Sequence, residues 1–172
     1  MTQSLYSSQI WQQMIAGRPY QTQAKPLKRA RLQAKDYCDR LNGSSVASER
    51  RRWCELLLPN ATVANIGNGF YCDYGVNISS QANLQIGNNV VMLDAGLILL
   101  GQNVVLGEGV VIAAMHHMHN ETRRRAGWQY TQPVNIGNNV IIESGATILP
   151  GAHISDNVTI KANQVVTARY PA

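Results

Sequence analysis

The most regular feature of the chain is an aliphatic residue at every sixth position in its C-terminal third. The series is Ile136, Ile142, Ile148, Ile154, Ile160 and Val166. A small or β-branched residue precedes most of these positions by two, and a Gly or Asn follows most of them by three. This period matches neither the 3.6-residue repeat of a helix nor the alternation of an ordinary strand. We therefore predict short strands joined by turns and stacked into a β-solenoid, in which neighbouring coils bury the aliphatic residues.

A different pattern occupies residues 1–58. Apolar residues cluster over residues 10–15, recur at near-helical spacing over residues 27–41, and appear again over residues 49–58. A Gly-Arg-Pro sequence at residues 17–19 separates the first segment from the second, and we assign Ser48 as the N-cap of the third. The sequence thus predicts an α-helical cap over residues 1–58 and a solenoid over residues 59–172.

The six-residue repeat is interrupted once, over residues 113–133, and it resumes at Val134. Because an insertion within a regular solenoid must project from it, we expect a protruding loop here. Such loops often carry function. Three of the four histidines of the chain, His116, His117 and His119, lie in this segment.

The net charge of +5 is concentrated in the predicted cap. Residues 1–58 contain ten Lys and Arg against four Asp and Glu, whereas the rest of the chain contains five and six. No nucleic-acid-binding module accompanies this charge, so we expect no nucleic-acid partner. A solvated helical face explains the pattern, and a phosphate-bearing ligand or an acidic partner is the alternative.

Composition also limits location and metal chemistry. The chain has no apolar run of eighteen residues, so no membrane partner is expected. No secretory signal is recognisable. The three cysteines, Cys38, Cys54 and Cys72, lack the spacing of metal ligands and are interpreted as reduced thiols of a cytoplasmic protein.

Further motifs resemble those of the maltose/galactoside-type sugar O-acetyltransferases, which are hexapeptide-repeat acyltransferases. These motifs are Met14-Ile15-Ala16-Gly17-x-x-Tyr20, Phe70-Tyr71-Cys72-Asp73-Tyr74-Gly75-x-Asn77-Ile78, Val91-Met92-Leu93-Asp94 and Pro133-Val134-x-Ile136-Gly137-Asn138-Asn139-Val140. The resemblance implies a left-handed parallel β-helix of triangular section, with three hexads in each coil. It also implies a homotrimer with active sites between subunits, acetyl-CoA as donor and a sugar hydroxyl as acceptor.

The same resemblance implies roles for individual residues. His117 takes the position of the catalytic histidine, which would accept the proton of the acceptor hydroxyl without an acyl-enzyme intermediate. Asp73 and Asp94 take positions that contact the acceptor, since carboxylates accept hydrogen bonds from hydroxyl groups. The positions implied for acetyl-CoA are Ser144, Ala162, Thr167 and Ala168.

Two alternatives stay open. Gly87, Ile141 and Ala168 replace an Asn, a Trp and a Lys of the family, which favours a catalytically weakened homologue that serves as a trimeric binding or scaffold protein. The histidine cluster suggests instead a metal-dependent hydratase on the same solenoid. The His-x4-His spacing of the zinc-binding relatives is absent, so we expect no metal.

Overall fold

The computed structural model describes residues 6–167 and 169–170 of the protein. Within the described residues, the N-terminal part contains three helices, α1 (Gln9–Ile15), α2 (Lys25–Gly43) and α3 (Ala47–Leu57), with strand β1 (Tyr20–Gln21) between the first two. The buried residues of α2 recur at three- and four-residue intervals, so this helix lays one apolar face on the solenoid. None of the helices described is both long and apolar enough to cross a bilayer.

The start of α3 corrects one prediction. Ser48 is not the N-cap but lies inside the helix, whose N-cap position is occupied by Val46. The hydroxyl group of Ser44 accepts a hydrogen bond from the backbone N–H of Val46 (3.1 Å) and donates one to the Glu49 carboxylate (2.7 Å). An upstream serine therefore closes the turn before the helix, together with an acidic residue in the first helical turn.

Three five-stranded parallel sheets form the rest of the described chain, apart from one projecting segment. Sheet I consists of β2 (Val63–Ile66), β5 (Leu84–Ile86), β8 (Val105–Leu106), β13 (Ile141–Ile142) and β16 (Thr159–Ile160). Sheet II consists of β3 (Tyr71–Cys72), β6 (Val91–Leu93), β9 (Val111–Ala113), β14 (Thr147–Ile148) and β17 (Val165–Val166). Sheet III consists of β4 (Ile78–Ala82), β7 (Ile98–Gln102), β12 (Val134–Ile136), β15 (His153–Ile154) and β18 (Arg169–Tyr170).

Each coil contributes one strand to sheet I, then to sheet II, then to sheet III, which gives a β-solenoid of about five turns. In the upper coils, paired residues are eighteen positions apart, as with Ile142 and Ile160. In the lower coils they are twenty apart, as with Ile86 and Leu106. The two extra residues lie in the corner between sheets II and III. Cys72 and Ser79 are seven positions apart, as are Met92 and Leu99, whereas Ile148 and His153, which occupy the same register, are five apart. This explains the less regular spacing early in the repeat.

The interior of the solenoid is an aliphatic ladder. The inward residues Ile142, Ile148, Ile154 and Ile160 are at most 1% exposed, and they belong to one continuous cluster that also includes residues of α2 and α3. The mainly β solenoid with its helical cap and projecting segment confirms the predicted fold class.

One corner of the solenoid is held by a ladder of asparagines. Asn83, Asn103, Asn139 and Asn157 all have positive φ angles, between 53° and 61°. Each side-chain amide donates to the side-chain oxygen of the next asparagine, at 2.9–3.0 Å. Asparagine tolerates the left-handed conformation and here also links neighbouring coils.

The cap is joined to the first coil by Arg50 of α3. Its guanidinium donates to the carbonyl oxygens of Leu41 (2.7 Å), Ile66 (2.9 Å) and Gly67 (3.0 Å). Leu41 belongs to α2, whereas Ile66 and Gly67 lie at the end of β2, so one side chain connects two helices with the solenoid. Because the first coil has no coil beneath it, the cap supplies hydrogen bonds that another coil would otherwise supply.

Arg50→Ala tests this connection. Hydrogen bonds from a charged donor contribute more than neutral ones, so we expect a loss of about 1.5–3 kcal/mol in the free energy of unfolding. Thermal and urea unfolding monitored by circular dichroism would measure it. The matched control is Arg51→Ala, since the Arg51 side chain is exposed and donates no hydrogen bond to the described residues. A surface change of this kind costs about 0.5 kcal/mol or less. Equal effects of the two substitutions would contradict the role of Arg50.

Candidate functional site

The segment that interrupts the solenoid is a β-hairpin attached to the cap. It contains β10 (Met115–His117), a short helix α4 (Glu121–Arg125) and β11 (Trp128–Thr131). β11 pairs antiparallel with β10 on one side and with β1 of the cap on the other. The buried hydroxyl group of Thr131 also donates to the carbonyl oxygen of Met14, at 2.6 Å. The hairpin is therefore held between the cap and the solenoid.

His117 stands at the end of β10, with its side chain exposed. It is the cross-strand partner of Gln129, which is in turn the partner of Tyr20 on β1. Directly opposed residues project from the same face of a sheet, so these three side chains form one row. The Tyr20 hydroxyl donates to Oε1 of Gln129 at 2.9 Å. This bond orients the carboxamide of Gln129 beside His117.

The other two histidines of the hairpin are placed differently. The ring of His116 stacks on Tyr130, with 4.8 Å between centroids, and its Nε2 lies 2.7 Å from Oε1 of Gln132. His119 lies in the turn that leads to α4, and its carbonyl oxygen accepts a hydrogen bond from the Arg124 guanidinium (3.0 Å). Among the hairpin histidines, only His117 belongs to the row that reaches Tyr20.

The turn that follows His117 is fixed by polar contacts. Arg124 donates to the carbonyl oxygens of both Met118 and His119, each at 3.0 Å. Asn120 caps α4, because its side-chain oxygen accepts a hydrogen bond from the N–H of Arg123 (3.0 Å). The backbone that carries His117 is thus restrained on its C-terminal side.

A pocket of about 320 Å³ lies beside this row and is called the acceptor pocket below. The cap contributes Tyr20 and Arg31 to its wall, the solenoid contributes Asp73, and the hairpin contributes Met115 and Gln129. All three parts of the fold therefore meet in one pocket, next to the strand that carries His117.

Asp73 is the carboxylate of this pocket. The side chain is half-buried, and burial raises its pKa, although the Arg31 guanidinium and a hydrogen bond from Tyr71 lower it. Arg31 donates to the Tyr74 hydroxyl and to the carbonyl oxygen of Thr22, both at 2.6 Å. The guanidinium thereby ties the cap to the turn that carries Asp73.

Asp94 lies behind that turn and is completely buried. Its carboxylate accepts hydrogen bonds from the backbone N–H groups of Tyr74 (2.8 Å) and Asn77 (3.3 Å), and its carbonyl oxygen accepts one from the Asn77 side chain (2.7 Å). Burial raises the pKa of Asp94 to about 7, against the opposing effect of these hydrogen bonds. Asp94 thus fixes the turn over residues 73–77, and its direct contact with an acceptor stays a prediction.

The residues expected to contact acetyl-CoA lie at two corners that border sheet II. Ser144 and Ala162 are exposed at the corner before the sheet, on successive coils, where the N–H of Asn163 donates to the carbonyl oxygen of Ser144 (3.1 Å). Thr167 is exposed at the corner after the sheet, two coils above the point where the hairpin leaves. Ala168 lies outside the described residues.

Sequence reasoning missed three residues of the site, namely Tyr20, Arg31 and Gln129. Tyr20 and Gln129 are 109 positions apart, and no periodic pattern connects them. No group of three or more His, Cys, Asp or Glu side chains within the described residues has the arrangement of a metal site.

Comparisons with known proteins agree with this geometry. A family model described as the maltose acetyltransferase hexapeptide capping motif matches residues 13–59. The chain is 30% identical to the galactoside O-acetyltransferase of Escherichia coli over 159 residues, covering 91% of this chain and 78% of that protein. A Saccharomyces cerevisiae protein named as an acetyltransferase is 39% identical over 102 residues, covering 59% of this chain and about half (52%) of its own length.

Two solved structures are similar over nearly the whole chain. A maltose O-acetyltransferase from Clostridium difficile superposes with a TM-score of 0.90 at 30% identity, covering 96% of this chain and 90% of that one. A galactoside acetyltransferase in complex with coenzyme A superposes with a TM-score of 0.80 at 27% identity, covering 91% and 80%.

Asp94→Asn tests the buried carboxyl group. Because its pKa is raised to about 7 from an ordinary 3.8, the folded chain keeps a proton that the unfolded chain releases. This stabilisation is complete below about pH 4 and is lost as the pH rises towards 7. We expect the parent to lose stability relative to the variant over that range, by on the order of 1 kcal/mol per pH unit.

Urea unfolding of both proteins at several pH values would measure this difference. Asp73 titrates in both proteins, and its charge is one of the causes that raise the pKa of Asp94 in the parent. A parent-to-variant difference that stays constant from about pH 4 to 7 would show that Asp94 does not titrate there.

Proposed function

Because the chain belongs to the hexapeptide-repeat family of sugar O-acetyltransferases, we propose that it transfers the acetyl group of acetyl-CoA to a hydroxyl group of a sugar or sugar-like acceptor. The observation that carries this proposal is the row formed by Tyr20, Gln129 and His117, which borders the acceptor pocket. Tyr20 and Gln129 line this pocket, and the exposed imidazole of His117 is the next member of the row. We place the acceptor hydroxyl group and the incoming thioester beside it.

In the proposed reaction, neutral His117 accepts the proton of the acceptor hydroxyl as its oxygen attacks the thioester carbon. The C–O bond forms, and collapse of the tetrahedral intermediate breaks the C–S bond. His117 then returns the proton to the departing thiolate of CoA. No protein nucleophile is required, which agrees with the burial of all three cysteines: Cys38, Cys54 and Cys72. Their free thiols also support the predicted cytoplasmic location.

The acceptor pocket supplies complementary groups for a polyhydroxyl compound. Asp73 can accept hydrogen bonds from two hydroxyl groups. The carboxamide of Gln129 uses its oxygen to accept from Tyr20, so its N–H group is directed to a different partner. Arg31 and Asp94 hold the turn that carries Asp73 and thereby set the position of its carboxylate.

We assign the donor to the sheet II side of the molecule. Ser144 and Ala162 lie at one corner of that sheet, and Thr167 lies at the corner from which the hairpin projects. These three exposed positions leave backbone groups accessible to an extended chain such as pantetheine. Ala168, adjacent to Thr167, is assigned by sequence alone.

A homotrimer is part of the proposal. His117 is exposed in the single chain, so a neighbouring subunit can complete its surroundings. Large apolar residues also project outwards from the solenoid: Tyr71 is 39% exposed, Ile141 45% and Val165 57%. These residues lie on sheets I and II, where we propose that neighbouring subunits cover them.

The second candidate is a trimeric binding or scaffold protein with little activity, and Gly87 favours it. A Cβ atom at this position would lie 2.9 Å from the backbone N of Glu108, so the coils here pack too closely for a side chain. An asparagine side chain, which the family has at this position, could therefore be introduced here only with a shift of the backbone. Acetyl transfer by the parent protein separates the two candidates.

His117→Ala tests the proposed base. We expect turnover with acetyl-CoA and a sugar panel to fall about 10²–10⁴-fold, the usual contribution of general-base catalysis. Acetyl-CoA binding, measured by calorimetry, should persist because the proposed donor contacts lie on the solenoid. The controls are His116→Ala and His119→Ala, which should lower turnover much less. Full activity of His117→Ala, or equal losses at His116 and His117, would contradict this assignment.

The homotrimer has its own test. Analytical ultracentrifugation at micromolar concentration should give three times the chain mass of 18.9 kDa. Ile141→Asp and Val165→Asp, which place a charge on the outward apolar positions, should shift the distribution towards smaller species. A parent protein that sediments as a stable monomer would rule out an active site shared between subunits.

A further inference from the structure

A second and larger pocket, of about 630 Å³, lies between the cap and the first coil of the solenoid. It is called the cap pocket below. The turn over residues 73–77 separates it from the acceptor pocket: Asp73 lines the acceptor pocket, Val76 and Asn77 line the cap pocket, and Tyr74 lines both. The proposed transfer reaction makes no use of this space.

The cap pocket combines aromatic rings with carboxamides, and none of the described residues that line it is charged. Trp11 packs edge-to-face against Tyr74, with 5.2 Å between ring centroids, and Tyr37 contributes a further ring. Trp11 and Tyr74 are only 3% and 5% exposed, so the half-buried rings of Tyr6 and Tyr37 are the ones that a ligand can contact. Such rings pack against the C–H face of a sugar ring or against another apolar ring.

Four carboxamides line the pocket, and each donates one of its two N–H groups to the protein. The bonds are Gln12 to the carbonyl oxygen of Tyr6 (2.8 Å), Gln33 to the Tyr37 hydroxyl (2.9 Å), Asn60 to the carbonyl oxygen of Val76 (2.8 Å) and Asn77 to the carbonyl oxygen of Asp94 (2.7 Å). None of the four side-chain oxygens accepts a hydrogen bond from the described residues. Asn77 is only 6% exposed, so its oxygen has little access to solvent except through the pocket.

We propose that the cap pocket is a second ligand site, which binds a neutral, hydroxyl-rich ring such as a sugar. The oxygen of the buried Asn77 calls for a hydrogen-bond donor, and the exposed oxygens of Gln12, Gln33 and Asn60 can accept from the same ligand in place of water. The rings favour a ligand with an apolar face. An anionic ligand would meet acceptor oxygens without a compensating cation. A purely apolar ligand would leave the carboxamide oxygens without partners at a desolvation cost.

This site is distinct from the acceptor pocket, and its existence does not depend on acetyl transfer. The two pockets nevertheless share Tyr74, whose ring packs on Trp11 and whose hydroxyl group accepts a hydrogen bond from Arg31. A ligand in the cap pocket therefore contacts a residue that also shapes the acceptor pocket.

Saturation-transfer NMR on the full chain tests the proposal with two matched probes, methyl glucoside and glucuronate. The rings are alike, but glucuronate carries a negative charge. Leu56→Trp fills the cap pocket from its rim, where Leu56 is 45% exposed. The control is Leu32→Trp, which makes the same change at a leucine that is 66% exposed and does not line the pocket. Thr22→Trp closes the acceptor pocket instead.

In the Thr22→Trp protein, whose acceptor pocket is closed, we expect methyl glucoside still to bind. Adding Leu56→Trp to that protein should weaken binding about tenfold, and adding Leu32→Trp should leave it unchanged. Glucuronate should bind all of them weakly. Gln33→Leu, an exposed change that removes one acceptor oxygen, provides a second variant if Leu56→Trp fails to fold. Three results would overturn the proposal: binding lost with Thr22→Trp alone, glucuronate binding as well as methyl glucoside, or a change in oligomer mass caused by Leu56→Trp.

Discussion

Strands of two or three residues hold their positions only because coils stack on both sides of them. Ile142, Ile148 and Ile154 each lie on a different sheet, and each is buried against the coils above and below. Full burial of such a side chain is worth about 1.5–3 kcal/mol, but only when the neighbouring coil is present. The same constraint requires a cover at the open end of the solenoid. The cap meets this need through Arg50, which binds carbonyl groups at the end of β2.

The functional site depends on the same stacking rule. A long segment can leave the solenoid between Ala113 and Val134 because both ends remain in register: Ala113 pairs with Leu93, and Val134 pairs with Ile98. The hairpin formed by this segment then gains its third strand from the cap, where Tyr20 lies. The cap thus closes the solenoid and also positions the residues beside His117. The cap that stabilises the open end of the solenoid therefore also forms part of the acceptor pocket.

Features that depend on residues close together in the sequence were predictable, whereas features that depend on contacts between distant residues were not. The solenoid was predictable because its inward positions recur every six residues, and the helices were predictable because their apolar residues recur at near-helical spacing. Both patterns are local in the sequence. The N-cap residue of α3 was misassigned because Ser44 and Ser48 both precede apolar helical residues, and only the backbone turn distinguishes the two serines. Tyr20 and Gln129 were missed because they meet through a strand pairing between distant parts of the chain. The cap pocket likewise arises from packing between helices and a coil.

The turn over residues 73–77 is the element in which stability and function conflict. A buried carboxylate is costly, and an apolar side chain at position 94 would fill similar space without that cost. No apolar side chain, however, can accept hydrogen bonds from both Tyr74 and Asn77, whose N–H groups would then be buried without partners. Asp94 therefore lowers the stability of the folded chain near neutral pH but fixes the geometry of this turn. That turn carries Asp73 towards one pocket and Asn77 towards the other, so its rigidity serves both sites at once.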